Sequence, residues 1–388
     1  MTPLLRLKLR CVGAGLTGWL LLANPRLVRA GTVASYKYED YREAGGRIAV
    51  QTQSALLEQD LTPDLHVKVT GVIDAIAGAT PNGQPAPAGS DQVVLTEMHD
   101  RRKAWSAELA GDISPATLVL GVANSRESDY VSTGWSLNAL TAFNQKNTTL
   151  RLGVAGTDDD VKVFYQPAWT KKRTFDFITG FTQLLDANTM VAGDFGWGRA
   201  TGYLSDPYKL VQKSVEVAPG VFLPITYGEN RPDWRDKWTL RVALNRAFAD
   251  LHGALESSYR FYHDTFGTNA HTFELTWLQR LGAKFILQPE LRLYEQSAAD
   301  FYHYQLDQTS IVPAFGPPRS QGPFYSSDYR VSSLRTSTVG LKAVWQVAAH
   351  LRLDLALEQY VMRGRDGVTP QSAYPRATIV TAGMQLSW

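Results

Sequence analysis

Cysteine is almost absent from this sequence, because its 388 residues contain only one, Cys11. A disulfide needs two cysteines, so no disulfide framework forms within the chain. Long hydrophobic runs are missing as well, since no segment supplies the roughly 18 consecutive apolar residues that indicate a transmembrane helix. Hydrophobic residues nevertheless make up 44% of the chain, including 17 Tyr and 10 Trp. That content must be distributed in short or alternating patterns.

Charge of one sign is also scarce. The formal net charge is +2, and five of the basic residues lie in the first 30 positions, so residues 31–388 carry a formal −3. A nearly neutral chain with mixed charges argues against nucleic acid as the partner. Zinc-ligand spacing, an EF-hand loop and a G-x-S-x-G nucleophile motif are all missing from the sequence. We therefore predict no cofactor, assign no catalytic residue, and leave metal binding open.

The first 30 residues have the pattern of a secretory signal peptide. Arg6, Lys8 and Arg10 precede a 13-residue apolar run, and the small residues Val28 and Ala30 lie before the expected cut. This order of basic, apolar and small residues is typical of exported proteins. The apolar run is shorter than the roughly 20 residues that span a bilayer. We predict cleavage after Ala30, with an uncleaved N-terminal anchor as the alternative.

Apolar and polar residues alternate throughout the rest of the chain. In "WTLRVALN" the apolar Trp238, Leu240 and Val242 alternate with Thr239 and Arg241, and a period of two is the side-chain period of a β-strand. Short, turn-rich links alternate with long links along the chain. Sixteen strands are predicted, at 34–42, 46–58, 64–76, 103–111, 115–126, 130–144, 148–156, 174–185, 189–203, 234–247, 253–264, 270–281, 284–297, 331–346, 350–362 and 376–388.

This combination predicts an all-β fold, a transmembrane antiparallel β-barrel of about sixteen strands. Short periplasmic turns, long extracellular loops and alternating segments of about ten residues are typical of outer-membrane barrels. A closed ladder is needed there because lipid cannot satisfy backbone groups. We divide the chain into a signal peptide at 1–30 and a barrel at 31–388. The expected location is the bacterial outer membrane, with its lipid as one partner.

The last strand carries a second indication of this class. In "TIVTAGMQLSW", Val380, Ala382, Met384 and Leu386 alternate with smaller or polar residues, and the final residue is Trp388. Such a strand resembles the C-terminal signal of outer-membrane proteins. The resemblance implies recognition by the barrel-assembly machinery. Pairing of this strand with the first strand would remove both free edges of the sheet.

Two groups of residues at the extracellular rim are candidates for a binding site. "MHDRR" and "SRESDY" are predicted to lie one hairpin apart, which places His99, Asp100, Arg101, Glu127 and Asp129 near one another. Histidine and carboxylates ligate divalent cations, and a network of salt bridges is the alternative that we favour.

A second outer loop contains a histidine–aspartate motif. "FYHDTFGTNAH" holds His263, Asp264 and His271, and a histidine beside an aspartate can serve as a general base. Loop-ordering hydrogen bonds are the interpretation that we favour for this motif. An outer-membrane enzyme that uses such a site remains an alternative function.

The polar face of the strands predicts a charged lumen. Alternation points both cations and carboxylates inward, and a sixteen-stranded barrel is wide enough for an aqueous channel. A salt-bridged interior with little free space is the other possibility, and the long links 204–233 and 298–330 either enter the lumen or stand outside it. The predicted lumen residues include Lys68, Arg151, Arg241, Glu274, Arg292, Arg352 and Asp354.

Four segments carry a family resemblance. They are "MHDRRKAWSAEL" at 98–109, "SRESDYVSTGWSL" at 125–137, "YHDTFGTNAHTFEL" at 262–275 and "LQPELRLYEQSAADFY" at 287–302. They resemble a large family of outer-membrane proteins known only as a domain of unknown function. The resemblance implies export and a β-barrel, and it supplies no activity or catalytic residue.

The sequence therefore predicts a porin-like channel for small polar solutes or a structural protein of the envelope. The channel prediction depends on barrel width and on the polar lumen alone. The alternatives are the rim enzyme and a scaffold for an unknown periplasmic or surface partner.

Overall fold

A computed structural model describes residues 31–163 and 167–388 of the chain. The predicted signal peptide and its cleavage site lie outside these residues. Among the described residues, helices are limited to three short 3-10 turns, and no helix is long and apolar enough to cross a membrane.

Sixteen antiparallel strands close into one barrel, which confirms the predicted fold class and strand number. Each barrel strand corresponds to one predicted segment. The strands are β1 (Thr32–Glu43), β2 (Ala49–Thr62), β3 (Leu65–Pro81), β4 (Leu95–Ile113), β5 (Ala116–Arg126), β6 (Tyr130–Phe143), β7 (Thr148–Val161), β8 (Thr170–Asp186), β9 (Thr189–Gly202), β12 (Trp234–Phe248), β13 (Gly253–Asp264), β14 (Asn269–Leu281), β15 (Phe285–Gln296), β16 (Leu334–Ala348), β17 (Leu351–Gly364) and β18 (Arg376–Ser387).

The barrel closes where the first strand meets the last. β1 pairs with β18 in an antiparallel ladder that runs from Val33↔Ser387 to Glu43↔Ala377. At the end of this ladder, Thr32 N donates to Trp388 O at 2.9 Å and Trp388 N donates to Thr32 O at 3.0 Å. Closure leaves no free sheet edge, which is the arrangement that a barrel in lipid requires.

Alternation places apolar side chains outside the barrel and polar ones inside. On β12, Leu240 and Val242 are 52% and 53% exposed, whereas Arg241 between them forms an ion pair with a carboxylate of the neighbouring strand. Exposed aromatics lie on the outer face near both ends, as in the aromatic girdles of outer-membrane barrels. They include Trp105, Trp135, Phe143, Phe181, Phe285 and Trp345.

The connections differ sharply between the two ends of the barrel. One end has tight turns such as 114–115, 187–188 and 349–350, together with the two ends of the barrel chain. The other end has the long connections, which by the rule for this class face the cell exterior. One hairpin extends further than the sequence predicts, because β3 continues to Pro81 and its partner β4 begins at Leu95.

The two longest connections contain structure of their own. Residues 203–233 form the separate hairpin of β10 (Leu210–Ala218) and β11 (Val221–Gly228), and residues 297–333 include a 3-10 turn at Tyr329–Val331. A buried cluster contains Tyr329 together with Leu334 and Met362, which are inward-facing residues at the long-loop ends of β16 and β17. The loops therefore pack into the mouth of the barrel, and we call residues 203–233 and 297–333 the plug.

Candidate functional site

Three carboxylates lie together at the predicted rim. Asp100 belongs to β4, and Glu127 and Asp129 lie in the connection between β5 and β6. One oxygen atom of each lies within 4.8 Å of the others, and all three residues are half-buried. The backbone N–H of Ser128 donates to Asp100 Oδ1 at 3.2 Å, which fixes the connection against the strand.

The environment of this cluster raises the pKa of one of its members, Asp129. Burial raises the pKa of Asp129, the hydrogen bond donated by Tyr208 opposes that rise, and the neighbouring Asp100 adds to it. Three carboxylate ligands suit a hard divalent cation. The hydrogen bonds to Tyr208 and to backbone N–H groups equally suit a network that orders the rim, so the two interpretations from the sequence both remain.

His99 and Arg101 point away from the carboxylates. Because β4 already begins at Leu95, both residues flank Asp100 in extended backbone, and neighbouring residues of a strand face opposite sides. Both are exposed, whereas Asp100 is half-buried. The structure thus brings together only the acidic part of the predicted rim cluster.

The second predicted rim group is divided in the same way. Asp264 is fully buried on the inner face, where it accepts from Arg235 Nε at 2.9 Å. His263 stacks on Trp238 with ring centroids 5.5 Å apart. His271 Nδ1 lies 2.7 Å from the hydroxyl of Tyr259. The two histidines and the aspartate therefore do not form one site.

The plug holds an ion cluster that the sequence did not reveal. Its members are Asp206, Lys209, Glu229, Arg231, Asp328 and Arg330, which come from both parts of the plug. Arg231 Nη2 lies 2.8 Å from Asp328 Oδ2, and Arg231 Nε lies 2.7 Å from Glu229 Oε1. Arg330 Nε donates to Asp328 Oδ1 at 2.8 Å and also pairs with Asp206. Three carboxylates balance three cations, which is the condition under which buried charges are tolerated.

Burial shapes the titration of these groups. It opposes ionisation of Asp328, but Arg330 and Arg231 outweigh it and hold the pKa of that carboxyl well below its usual range. Burial, aided by Arg330, lowers the pKa of Lys209 to about 8. The Lys209 ammonium donates to the carbonyl of Pro81 and lies 5.8 Å from the Tyr329 ring centroid. The cluster thus joins the hairpin base, the second loop and the β3–β4 connection.

Charged side chains line the lumen between the plug and the short turns. Asp194 lies between two arginines, 2.8 Å from Arg151 Nη2 and 3.4 Å from Arg241 Nη1. Gly180 occupies the register position between Arg151 and Asp194, and a Cβ there would lie 2.3 Å from Asp194 Oδ1. The absence of a side chain at Gly180 therefore leaves the space that the Asp194 carboxylate occupies between its two arginine partners.

The other predicted lumen residues pair across neighbouring strands or face the same interior. Lys68 Nζ lies 3.9 Å from carboxylates of both Glu58 and Glu108. Glu274 accepts from Arg292 at 3.0 Å. Asp354 pairs with Lys342 at 3.0 Å, and Arg352 precedes it at the start of β17. Asp194 was missed by the sequence analysis, although its position next to the outward Phe195 could have placed it inside.

Solved structures with a similar fold are barrels of the outer membrane. The chain resembles CdiB from Acinetobacter baumannii with a TM-score of 0.50 and 7% identity, covering 92% of this chain and 60% of CdiB. It also resembles OmpT of Vibrio cholerae (TM-score 0.44, 8% identity, 94% and 100% covered). A third is CymD, a monoaromatic hydrocarbon channel (TM-score 0.42, 9% identity, 95% and 92% covered). At such identities the likeness extends to the fold alone.

Closed barrel, apolar outer surface and fold likeness together define an outer-membrane β-barrel protein. Residues 23–373 match the family described as "Protein of unknown function (DUF3570)". The chain belongs to this family, as the sequence motifs indicated. No curated protein matches the chain.

Proposed function

We propose that the protein is a porin-like channel for small polar solutes whose outer entrance is closed by the plug at rest. The observation that supports this is the contrast between the two halves of the lumen. Midway along the strands, below the plug, the side chains of Arg241 and Glu274 are 41% and 46% exposed. Near the long connections, Tyr294 and Met362 are buried beneath the plug. A polar, hydrated lower lumen suits solute passage once the upper part opens.

Opening requires the plug to leave the mouth. The hairpin part is attached at its base to the β3–β4 connection, where Leu210 N donates to Asn82 O at 2.7 Å. The tip of the hairpin is more open to solvent, since Val217, Val221 and Phe222 are about half exposed. Removing this base together with the second part of the plug should therefore unblock the lumen, whereas shortening the tip should not.

Single-channel recording in planar bilayers tests the channel. In the test variant, short Gly-Ser linkers replace residues 205–231 and 299–331, which removes both parts of the plug and all six members of the ion cluster. We expect rare or small openings from the intact barrel and stable, larger conductance steps from this variant. A matched control shortens only the hairpin tip at 217–221 and should behave like the intact protein.

A structural or scaffolding role is the second candidate, and the buried plug favours it. If the plug-deleted barrel is folded, as judged by heat-modifiable migration in gels, and still does not conduct, the channel proposal is wrong. The scaffold would then be the function to pursue. The rim-enzyme alternative receives no support from His263 and Asp264, which lie on opposite faces of β13.

Export and assembly complete the proposal. We propose that the segment 1–30 directs export and is removed, and that the barrel-assembly machinery recognises the strand ending at Trp388. The outward alternation of β18 supports this, since Val380, Met384 and Leu386 are all more than one-third exposed.

A further inference from the structure

A polar cavity opens at the short-turn end of the lumen, far from the plug. Its volume is about 370 Å³, and it lies beside the turn between β16 and β17 and the end of β18. It is lined by Gln346, Ala349, His350, Arg352, Gln385 and Ser387. Five of these six residues carry polar side chains, and none of the six is acidic.

Register places the central residues of this cavity side by side. Gln346 of β16 is the ladder partner of Arg352, and Arg352 is the ladder partner of Gln385 of β18. All three face the lumen, because the alternate Leu355 and Leu357 of β17 are exposed on the outer face. One cation is therefore flanked by an amide on each side.

The charge of Arg352 is not compensated within the cavity. In the described ranges 31–163 and 167–388, its guanidinium has neither an ion pair nor a hydrogen bond to another residue, and it is exposed. The nearest acid along β17 is Asp354, which is already paired with Lys342 at 3.0 Å. By contrast, Lys68, Arg151, Arg241 and Arg292 all have carboxylate partners in the lumen.

The other lining groups add donors around this guanidinium. His350 Nδ1 lies 2.8 Å from the carbonyl of Ser387, so Nδ1 donates there and the ring edge that carries Nε2 is left free of that bond. The amide nitrogen of Gln346 donates to Ala348 O at 2.7 Å, which fixes that side chain. Gln385 contributes an amide that can donate, and Ser387 contributes a hydroxyl.

We propose that this cavity binds a small free oxyanion, a phosphate or a carboxylate, with Arg352 as the principal ligand. A planar guanidinium presents two parallel N–H donors that match two oxygens of such a group. A cation that lacks an acidic partner gains most from an anion of this kind, and the flanking amides complete the donor set. Binding at this cavity does not require passage through the barrel, so it can be tested whether or not the protein conducts.

Calorimetric titration of inorganic phosphate into the barrel in phosphatidylcholine nanodiscs measures the binding. We expect one saturable site per barrel and at least about tenfold weaker binding for Arg352→Gln, because hydrogen bonds to charged groups are worth roughly ten- to a hundredfold in affinity. Arg352→Lys should be intermediate, since lysine keeps the charge but loses the fork. Arg151→Gln removes a lumen cation of β7, on the opposite side of the barrel from β17, and should bind phosphate like the intact protein.

A second set of nanodiscs containing phosphatidylglycerol distinguishes the two sources of phosphate. Equal binding of inorganic phosphate in both sets supports a free anion. Loss of that binding in the phosphatidylglycerol discs would assign the site to lipid headgroups and overturn the proposal. Heat-modifiable migration confirms that each variant is folded. Phosphate binding that is absent, or that is unchanged in Arg352→Gln, also overturns it.

Discussion

Replacing Asp328 by Asn should loosen the plug while leaving the barrel intact. This carboxylate is 1% exposed and accepts from Arg231 at 2.8 Å and from Arg330 at 2.8 Å. Its Oδ1 also accepts from the backbone N–H of Arg330 at 3.1 Å, which begins the 3-10 turn that carries Tyr329. Asparagine has nearly the same shape but no charge, so two guanidiniums would remain buried with one carboxylate fewer.

Breaking a buried ion pair by removing one partner costs about 3–5 kcal/mol. Because the cluster lies in the plug and not in the barrel ladder, the substitution should destabilise the closed position of the plug by this amount and leave the stability of the barrel unchanged. At about 1.4 kcal/mol for each factor of ten, the opening equilibrium constant rises roughly a hundred- to a few thousandfold. Hydrogen exchange measured by mass spectrometry reports this opening for peptides within 203–233 and 297–333.

The matched control is Asp307→Asn, the same change on an exposed residue of the same loop. Asp307 Oδ2 accepts from the Ser214 hydroxyl at 3.0 Å, outside the ion cluster. We expect this variant to change protection by less than about 1 kcal/mol. Equal protection of the plug in Asp328→Asn and Asp307→Asn would refute the idea that the buried cluster holds the plug in place.

Three further predictions follow from the same contacts. Protection of the plug against hydrogen exchange should rise between about pH 8 and pH 10.5, by up to roughly 3 kcal/mol. In this range Lys209 has lost its proton in the closed state, where its pKa is about 8, but keeps it in the open state, so a rise in pH favours closure. Exchange rates in Lys209→Met, corrected for the intrinsic pH dependence of exchange, should lack this rise. In the plug-deleted barrel, Asp194→Asn removes the carboxylate that Arg151 and Arg241 share, and the reversal potential in a salt gradient should shift towards anion selectivity; an unchanged potential would place these arginines outside the conduction path. Trp388→Ala should lower the fraction of heat-modifiable barrel in the outer membrane while Ser387→Ala should not, and equal yields would argue against a role of the terminal aromatic in assembly.

The membrane-spanning part of the fold was predictable because lipid requires one apolar face on each strand, and the two faces of a strand alternate with a period of two. All sixteen segments were located, including the charged first strand, which the structure extends from Thr32 to Glu43. The upper parts of β3 and β4 were missed because that pattern stops above the lipid. There the pairing continues through partners such as Thr80↔Thr96, whose backbone groups form the ladder although neither side chain is apolar.

The loss of the alternating pattern above the lipid also explains why the rim site was not predicted correctly. Treating residues 77–102 as a loop hid the alternation that separates His99 from Asp100. The ion cluster has no signature in the sequence. Glu229 and Arg231 look like ordinary charged loop residues, and only the fold brings them beside Asp328 and Arg330, which lie almost 100 residues later. Burial of this kind arises from tertiary contact and not from any local pattern.

The junction between β1 and β18 is a seam that joins the first and last strands of the barrel. Every other pair of neighbouring strands in the barrel is contiguous in sequence or separated only by the plug hairpin. Since pairing of distant segments closes a longer loop, we expect the seam to form after those local pairs. Until then both terminal strands present unpaired backbone groups, which are prone to pair with other chains. A permuted chain that links Trp388 to Thr32 and opens at the turn 187–188 would make the seam a local hairpin and move the late closure to β8 and β9.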